Sequence, residues 1–243
     1  MVESPQTRIL VDEVYNRILR TLNDRVALTP ERLPVSGIAR KLGVSRTPVT
    51  MALVRLECDG LVRRRANGGW YTRSLRLEDI EEIFELKEAL APLFMSKAAE
   101  RITPEEAEEL LKLVEQLEKA VHLNDVDGWL EADRSYHDLL LRVISNTRYE
   151  QIQDQLSSQI YRLRVGQMVL KERMAVSAVQ HRQMAEAVAA NDPQLAARVT
   201  LEHLRSLKAS LVHLVKEILI PVMGREGGFL GTEPALEYPG ARD

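Results

Sequence analysis

Hydrophobic residues recur at helical spacing in three short stretches within the first 60 residues. The first runs from Thr7 to Leu22 and the second from Val35 to Leu42, each forming one face of an amphipathic helix. Gly43 follows the second stretch, where helices commonly end in a left-handed residue. Ser45 then offers a side-chain oxygen that can cap a third helix, which ends at Gly60. The buried face of this third helix is predicted to consist of Val49, Ala52, Leu53 and Leu56.

After Gly60 the helical period gives way to two short strands. Leu61 to Arg65 and Trp70 to Arg73 flank a turn that contains Gly68 and Gly69. Three helices followed by a hairpin predict a winged helix-turn-helix. The segment from Leu75 to Asp79 is predicted to be the linker into the next helix.

The rest of the chain shows helical periodicity alone. Thr103 and Pro104 are typical of a helix start, and Asn191 to Pro193 of a break between two helices. The predicted helices span about 78–100, 104–122, 124–145, 147–170, 173–190 and 193–218. The predicted fold class is therefore mainly α: an N-terminal winged helix-turn-helix (1–75), an all-α helical-bundle domain (76–220) and a loose, glycine-rich tail (221–243).

Charge divides the chain in the same place. Residues 1–75 carry 13 Lys and Arg against 7 Asp and Glu, whereas the remainder carries 20 against 29. A basic N-terminal third fits a polyanionic partner. Cys58 is the single cysteine, which excludes an intrachain disulfide and a cysteine metal cluster. No apolar stretch has the length of a membrane span or a signal peptide, so we expect a cytoplasmic protein.

The stretch from Gly43 to Val49, with its flanking runs 38–42 and 53–62, resembles the winged helix-turn-helix of the GntR family of transcription regulators. The resemblance covers about residues 10–73 and implies binding to double-stranded operator DNA. The family usually has an arginine after the position of Val49, where this chain has Thr50. The shorter side chain predicts a different operator sequence.

The third predicted helix presents its N-terminus and its polar face to DNA. Arg46, Thr47 and Thr50 face away from the buried positions, near free N–H groups that suit phosphate and side chains that can reach base edges. The complete set of predicted DNA contacts comprises Arg40, Lys41, Ser45, Arg46, Thr47, Thr50 and Arg55, with Arg65, Gly68 and Gly69 in the wing.

The helical remainder, from about Ile80 to Val215, resembles the FCD ligand-binding domain of the FadR subgroup of that family. The resemblance is most specific at Asp133, His137, His181 and His203, which match the aspartate and three histidines that hold one divalent cation in the metal-binding members of the subgroup. Asp133 and His137 are four residues apart, so one helix face can present both to an ion. The ligand set suits zinc, nickel, cobalt, iron or manganese and does not select among them.

The same resemblance implies a small, carboxylate-bearing effector, and the helix-turn-helix habit of reading two half-sites one turn apart indicates a homodimer. The predicted effector contacts are Lys87, Asn146, Arg162 and Arg164. Lys87 replaces the arginine usual at its position, which indicates a different ligand preference. Two alternatives remain open: a metal-dependent hydrolase, and a regulator whose metal is structural or is itself the signal. We expect no enzyme, because the sequence offers neither a separate general base nor a zinc-protease signature.

Overall fold

The computed structural model describes residues 5–23, 30–65, 68–73, 77–161 and 167–219, and its N-terminal part is the predicted winged helix-turn-helix. The elements, in chain order, are α1 (Pro5–Asn23), β1 (Arg32–Leu33), α2 (Val35–Leu42), α3 (Arg46–Cys58), β2 (Val62–Arg64) and β3 (Trp70–Thr72). The predicted buried face of α3 is confirmed, because its four residues are fully buried. They pack against Val14 and Ile18 of α1 and against Trp70 of β3.

The wing contains one strand more than the predicted hairpin. β3 lies between β1 and β2 and pairs with both in antiparallel fashion, with Leu33 opposite Trp70 and Val62 opposite Thr72. The backbone N–H of Thr72 also donates to the carbonyl of Glu31 at 2.9 Å. A strand of two residues is too short to show an alternating pattern, so β1 could not be predicted.

The turn between α2 and α3 confirms one predicted cap and contradicts another. Gly43 adopts the left-handed conformation, with φ of 68°, as its position required. Ser45 occupies the N-cap position of α3 with an extended backbone, but its side chain makes no capping hydrogen bond, so the predicted cap is wrong. Because the start of α3 is exposed, water can satisfy its N–H groups without a side-chain cap.

The second part of the chain is helical. Its elements are α4 (Leu77–Arg101), α5 (Pro104–Leu123), α6 (Val126–Ile144), α7 (Thr147–Tyr161), α8 (Gln167–Ala189) and α9 (Pro193–His213), followed by π-helical residues Leu214–Leu219. Thr103 and Glu106 form a reciprocal capping box at the start of α5, which confirms the predicted helix start. Asp192 caps α9 ahead of Pro193, as the predicted break requires.

Two predicted boundaries in this part are wrong. The break predicted between the helices over 147–170 and 173–190 lies inside α8, which begins at Gln167, and residues 162–166 lie outside the described residues. Residues 77–79, predicted to lie in the linker, form the first turn of α4, where Asp79 pairs with Arg73 at 3.1 Å. Leu75 and the predicted tail (221–243) lie outside the described residues.

Helix α4 packs along α9, and α5 packs against both α6 and α8. The largest part of the core fills the space among these helices and includes Ala98, Leu110, Leu139 and Ala185, all essentially inaccessible to solvent. This arrangement brings α6, α8 and α9 together. The two parts of the chain meet where the Gln155 side chain of α7 donates to the Cys58 carbonyl at the end of α3, at 3.1 Å.

Candidate metal centre and DNA-binding surface

Helix α6 carries the first two residues of the candidate metal centre on one face. Asp133 is buried and His137 is half-buried, and the helical spacing of four residues places the Nε2 atom of His137 3.8 Å from the Oδ1 atom of Asp133. The start of α6 is fixed by Asp125, which accepts a hydrogen bond from the N–H of Gly128. The carboxylate therefore sits on a well-anchored helix inside the domain.

Helix α8 brings a third residue to the same point. His181 is completely buried, and its Nε2 atom lies 3.2 Å from Oδ1 of Asp133 and 3.4 Å from Nε2 of His137. Its Nδ1 atom lies 2.7 Å from the carbonyl oxygen of Ser177. Because a carbonyl can only accept, Nδ1 of His181 carries a proton, and Nε2 is the ring atom that faces the cluster.

Tyr136 closes the cluster from the side of α6. Its ring contacts the rings of His137 and His181 edge-on, and its hydroxyl donates to the carbonyl of His181 at 3.4 Å. Burial, together with the nearby Asp133 carboxylate, raises the pKa of Tyr136 well above its usual range. The phenol therefore stays neutral and acts as a packing and donor group beside the histidines.

His203 comes from α9 and lies next to His181. Its ring is buried, with ring centres 5.1 Å apart, and its Nδ1 atom is 3.0 Å from Oε1 of Gln180. The atoms that converge within 4.8 Å of one another belong to Asp133, His137 and His181. His203, the fourth predicted metal ligand, therefore lies beside these three residues but is not one of the converging group.

The spacing of the converging atoms suits a transition-metal ion. Ligand atoms bound to a tetrahedral ion at about 2.1 Å lie about 3.4 Å from one another. The three separations among Asp133, His137 and His181 are 3.2, 3.4 and 3.8 Å. A carboxylate and imidazoles are ligands of zinc and its neighbours, and a buried carboxylate is costly unless a cation or hydrogen bonds compensate its charge. The donor set therefore fits a divalent ion in both spacing and chemistry.

The predicted effector contacts have different surroundings. The Lys87 side chain on α4 is buried and donates to Gln153 and Ser157 on α7. Asn146 is exposed, and its side-chain oxygen accepts from the N–H groups of Arg148 and Tyr149, which caps α7. Arg162 and Arg164 lie outside the described residues.

Sequence reasoning missed two polar side chains beside the centre. Gln180 and Arg173, both on α8, reach His203 through a chain of hydrogen bonds. Gln180 directly precedes His181, so the motif around that histidine offered a signal. Arg173 is two helical turns away and offered none.

The predicted DNA-binding residues of α2 and α3 lie on one exposed surface. Arg40 and Lys41 occupy the exposed last turn of α2, and Arg46, Thr47 and Thr50 are exposed along the start of α3. The Thr50 hydroxyl donates to the carbonyl of Arg46 one turn earlier in α3. Arg55, by contrast, pairs with Asp12 at 2.6 Å and stacks on Tyr15, which ties α3 to α1.

Of the three predicted DNA contacts in the wing, Arg65 and Gly68 are exposed. The guanidinium of Arg65 lies 4.2 Å above the ring of Tyr71. Gly68 is exposed with φ of 82°, and its N–H donates to the carbonyl of Arg65. Gly69 is buried next to the Tyr71 ring. A Cβ atom at this position would come within 2.8 Å of that ring. The two glycines therefore differ: Gly68 sits at the tip, and Gly69 supports the Arg65–Tyr71 pair.

Comparison with known proteins agrees with this architecture, a winged-helix transcription regulator with a helical domain behind it. Residues 10–72 match the family model for bacterial regulatory proteins of the gntR family, and residues 82–206 match that for the FCD domain. The chain belongs to the gntR family of bacterial transcription regulators and carries an FCD domain. Within the described residues, helices with both the length and the hydropathy for crossing a membrane are absent.

Individual relatives of this chain are HTH-type transcriptional regulators. The HTH-type transcriptional regulator of the TAR-I ttuE-ttuC' intergenic region of Agrobacterium vitis is 41% identical over 134 residues, which cover 54% of this chain and 78% of that protein. YdhC, an HTH-type transcriptional regulator of Bacillus subtilis, is 25% identical over 206 residues, or 84% and 92% of the two chains. The structure of McbR/YncC from E. coli superposes with a TM-score of 0.69 at 21% identity, covering 87% of this chain and 98% of that one. At 21% identity, this likeness shows the fold alone.

Proposed function

We propose that this regulator binds its operator as a cytoplasmic homodimer, and that a small carboxylate effector controls its affinity from the helical domain. The effector binds at or near a divalent metal ion held by Asp133, His137, His181 and His203. The observation that carries this proposal is the convergence of three ligand atoms from α6 and α8 at separations of 3.2 to 3.8 Å. His203 on α9 supplies the fourth ligand after a small shift of its ring.

Each ligand has a separate role in this proposal. Asp133 supplies the negative charge that offsets part of the ion's charge inside the domain. His181, whose Nδ1 proton is held by the Ser177 carbonyl, supplies a rigid nitrogen ligand. His137 is half-buried and lies toward solvent, so the open side of the site is on its flank. When bound, the ion supplies positive charge and open coordination positions to an effector carboxylate.

We propose that different residues of the DNA-binding surface contact base edges and phosphates. Arg46, Thr47 and Thr50 lie where the recognition helix meets base edges. Ser45, whose hydroxyl is not used as a cap, joins Arg40 and Lys41 in contacting phosphates. The wing contributes Arg65, Gly68 and Gly69. Arg55 contributes least, because Asp12 already neutralises its charge.

Helix α7 connects the proposed effector contact Lys87 with the end of α3 in the winged helix. Lys87 donates to Gln153 and Ser157 on this helix, and Gln155 of the same helix donates to the end of α3. The proposed effector contacts Arg162 and Arg164 follow α7 directly in sequence, and Asn146 caps its start. An effector that binds differently to two positions of α7 would therefore shift the placement of the DNA-binding domains.

Operator binding in the presence and absence of metal tests the proposal. The full-length protein is purified, its metal content measured, and operator affinity determined with a panel of mono-, di- and tricarboxylates before and after complete removal of metal by a chelator. We expect about one divalent ion per chain and an effector-induced change of about 5- to 150-fold that requires the ion.

Three other results would contradict parts of the proposal. An effector response that survives complete metal removal would make the ion structural. A response to added metal without any carboxylate would make the ion the signal. Hydrolysis of a carboxylate ester that depends on His181 would favour the alternative function as a metal-dependent enzyme.

A further inference from the structure

Behind the candidate metal centre, four side chains form a continuous hydrogen-bonded chain between α8 and α9. Nη2 of Arg173 donates to Oε1 of Gln180 at 2.8 Å, and Nδ1 of His203 lies 3.0 Å from the same oxygen. Nη1 of Arg173 also donates to the hydroxyl of Ser206 at 2.8 Å. His203 is buried, and the other members of the chain are partly buried. One amide oxygen therefore serves both the arginine and the histidine.

Arg173 determines which way the amide of Gln180 points. A guanidinium group only donates hydrogen bonds, so the amide atom that faces it must be the carbonyl oxygen. Rotating the amide by half a turn would place its NH2 group against two donors, Nη2 of Arg173 and any N–H of His203. The buried setting makes such an unsatisfied arrangement costly. Arg173 thus removes the two-fold ambiguity of the Gln180 side chain.

The fixed oxygen of Gln180 in turn determines the tautomer of His203. Because Oε1 can only accept, Nδ1 of His203 must carry the proton. A neutral imidazole has one N–H, so the Nε2 atom of His203 keeps its lone pair. The same logic applies to His181, where the Ser177 carbonyl holds the Nδ1 proton. Both histidines are therefore prepared as Nε2 ligands by acceptors on α8.

We infer that Arg173 and Gln180 are positioning residues that hold His203 in the Nδ1-protonated tautomer and so prepare the fourth ligand of the centre. The consequence for metal affinity rests on the proposed metal centre. The tautomer itself is a property of the metal-free chain. A purely structural tie between α8 and α9 would instead act through the Arg173–Ser206 contact and would leave the His203 tautomer unaffected.

The tautomer is tested first, in the full-length metal-free protein labelled with 15N-histidine. Long-range 1H–15N correlation spectra identify which ring nitrogen of His203 is protonated, with His203→Ala giving the assignment. We expect the Nδ1–H form in the wild type and in Gln180→Glu, which keeps an acceptor, and the Nε2–H form in Gln180→Leu. Gln183→Leu, at an exposed position on the same helix, is the control and should match the wild type. A Nε2–H signal in the wild type, or an unchanged signal in Gln180→Leu, would overturn the inference.

Zinc affinity, measured by competition with a chelating dye, then tests the consequence. Gln180→Leu should weaken zinc binding by about 10- to 100-fold, as loss of an outer hydrogen-bond partner of a metal-binding histidine typically does. Gln180→Glu should stay within about threefold of the wild type.

A double-mutant cycle separates positioning from structure. In a His203→Ala background, Gln180→Leu should cause no further loss of zinc affinity, because the histidine on which it acts is gone. An equal loss in both backgrounds would assign Gln180 a structural role and contradict the inference. Absence of zinc binding by the wild type would refute the proposed metal centre, and the NMR experiment would still decide the tautomer.

Discussion

The two functional surfaces of this regulator differ in how their polar groups are held. On the winged helix, Arg40, Lys41 and Arg46 are exposed and extend from a helix pair whose core is independent of them. In the helical domain, Asp133 and His181 are buried, and acceptors on neighbouring residues orient the rings. We therefore expect that the proposed DNA contacts can be replaced without loss of the fold, whereas replacing the proposed metal ligands should change both metal binding and the stability of the fold.

The same difference predicts opposite responses to salt. Exposed cations bind DNA by releasing counterions, so log affinity for DNA should fall steeply with log salt concentration. Buried groups are screened much less, so salt should have little effect on metal affinity.

Replacing His181 should abolish the metal centre. His181→Ala removes the buried ligand that lies closest to the Asp133 carboxylate, so the metal content should fall from about one ion per chain to near zero. Elemental analysis after dialysis checks this. His213→Ala, at an exposed position at the end of α9, is the matched control and should keep its metal. Full metal content in His181→Ala would refute the site.

Replacing Arg46 should weaken operator binding specifically. Arg46→Ala should cost about 1–3 kcal/mol on the operator and much less on random DNA, if its guanidinium reads a base. The comparison variant is Arg55→Ala, whose side chain pairs with Asp12 and should affect DNA affinity little. Fluorescence anisotropy on both DNAs measures the difference. Equal losses on the two DNAs would make Arg46 a phosphate contact.

Adding a methyl group at Gly69 should modestly weaken the affinity of the wing for DNA. In Gly69→Ala the Tyr71 ring must move, which breaks its stacking with Arg65 and should cost DNA affinity about 0.5–1 kcal/mol. In a Tyr71→Leu background the same substitution should have no further effect, because the obstructing ring is gone. Undiminished loss in that background would place the effect in the backbone instead.

The smallest effect concerns an ion pair on the rim of the helical domain. The hydrogen bond from Arg182 holds the pKa of Glu118 below its usual value. A depressed carboxyl pKa stabilises the fold above the unfolded value and loses that stabilisation as the pH falls through the folded value. Glu118→Gln should thus lower the free energy of unfolding by about 0.2–1 kcal/mol at pH 7, because the pair is partly exposed.

Urea unfolding at several pH values measures this contribution. The difference between Glu118→Gln and the wild type should shrink as the pH falls below the ordinary carboxyl pKa of 4.5, because the carboxylate becomes protonated. A difference that stays constant down to acid pH would assign the effect to packing rather than to charge.

Much of the winged helix could be predicted because each of its signals is local. Val49, Ala52, Leu53 and Leu56 follow a 3.6-residue period, and Gly43 must adopt a left-handed conformation at that turn. Strand β1 was missed because two residues carry no period. The Ser45 cap was wrongly predicted because a favourable residue type at an N-cap does not oblige its side chain to turn back.

For the candidate metal centre, the residue types could be predicted from the sequence, but the way the helices bring them together could not. Asp133 and His137 share one helix, so their spacing is visible in sequence, whereas the approach of His181 depends on how α8 packs against α6. The start of α8 was predicted too late because the apolar spacing of its first turns gives no sign of a new helix there. Arg173 and Gln180 were missed because their role appears only when α8 faces α9.

Anomalous diffraction from crystals of the full-length protein tests the central claim most directly. Data collected on both sides of the zinc absorption edge, from protein loaded with zinc alone, would show whether an ion lies among Asp133, His137, His181 and His203. We expect one anomalous peak per chain there, within about 2.0–2.2 Å of Asp133 Oδ1 and of the Nε2 atoms of all three histidines. Zinc bound elsewhere on the chain, with ordered but metal-free side chains at this position, would contradict it.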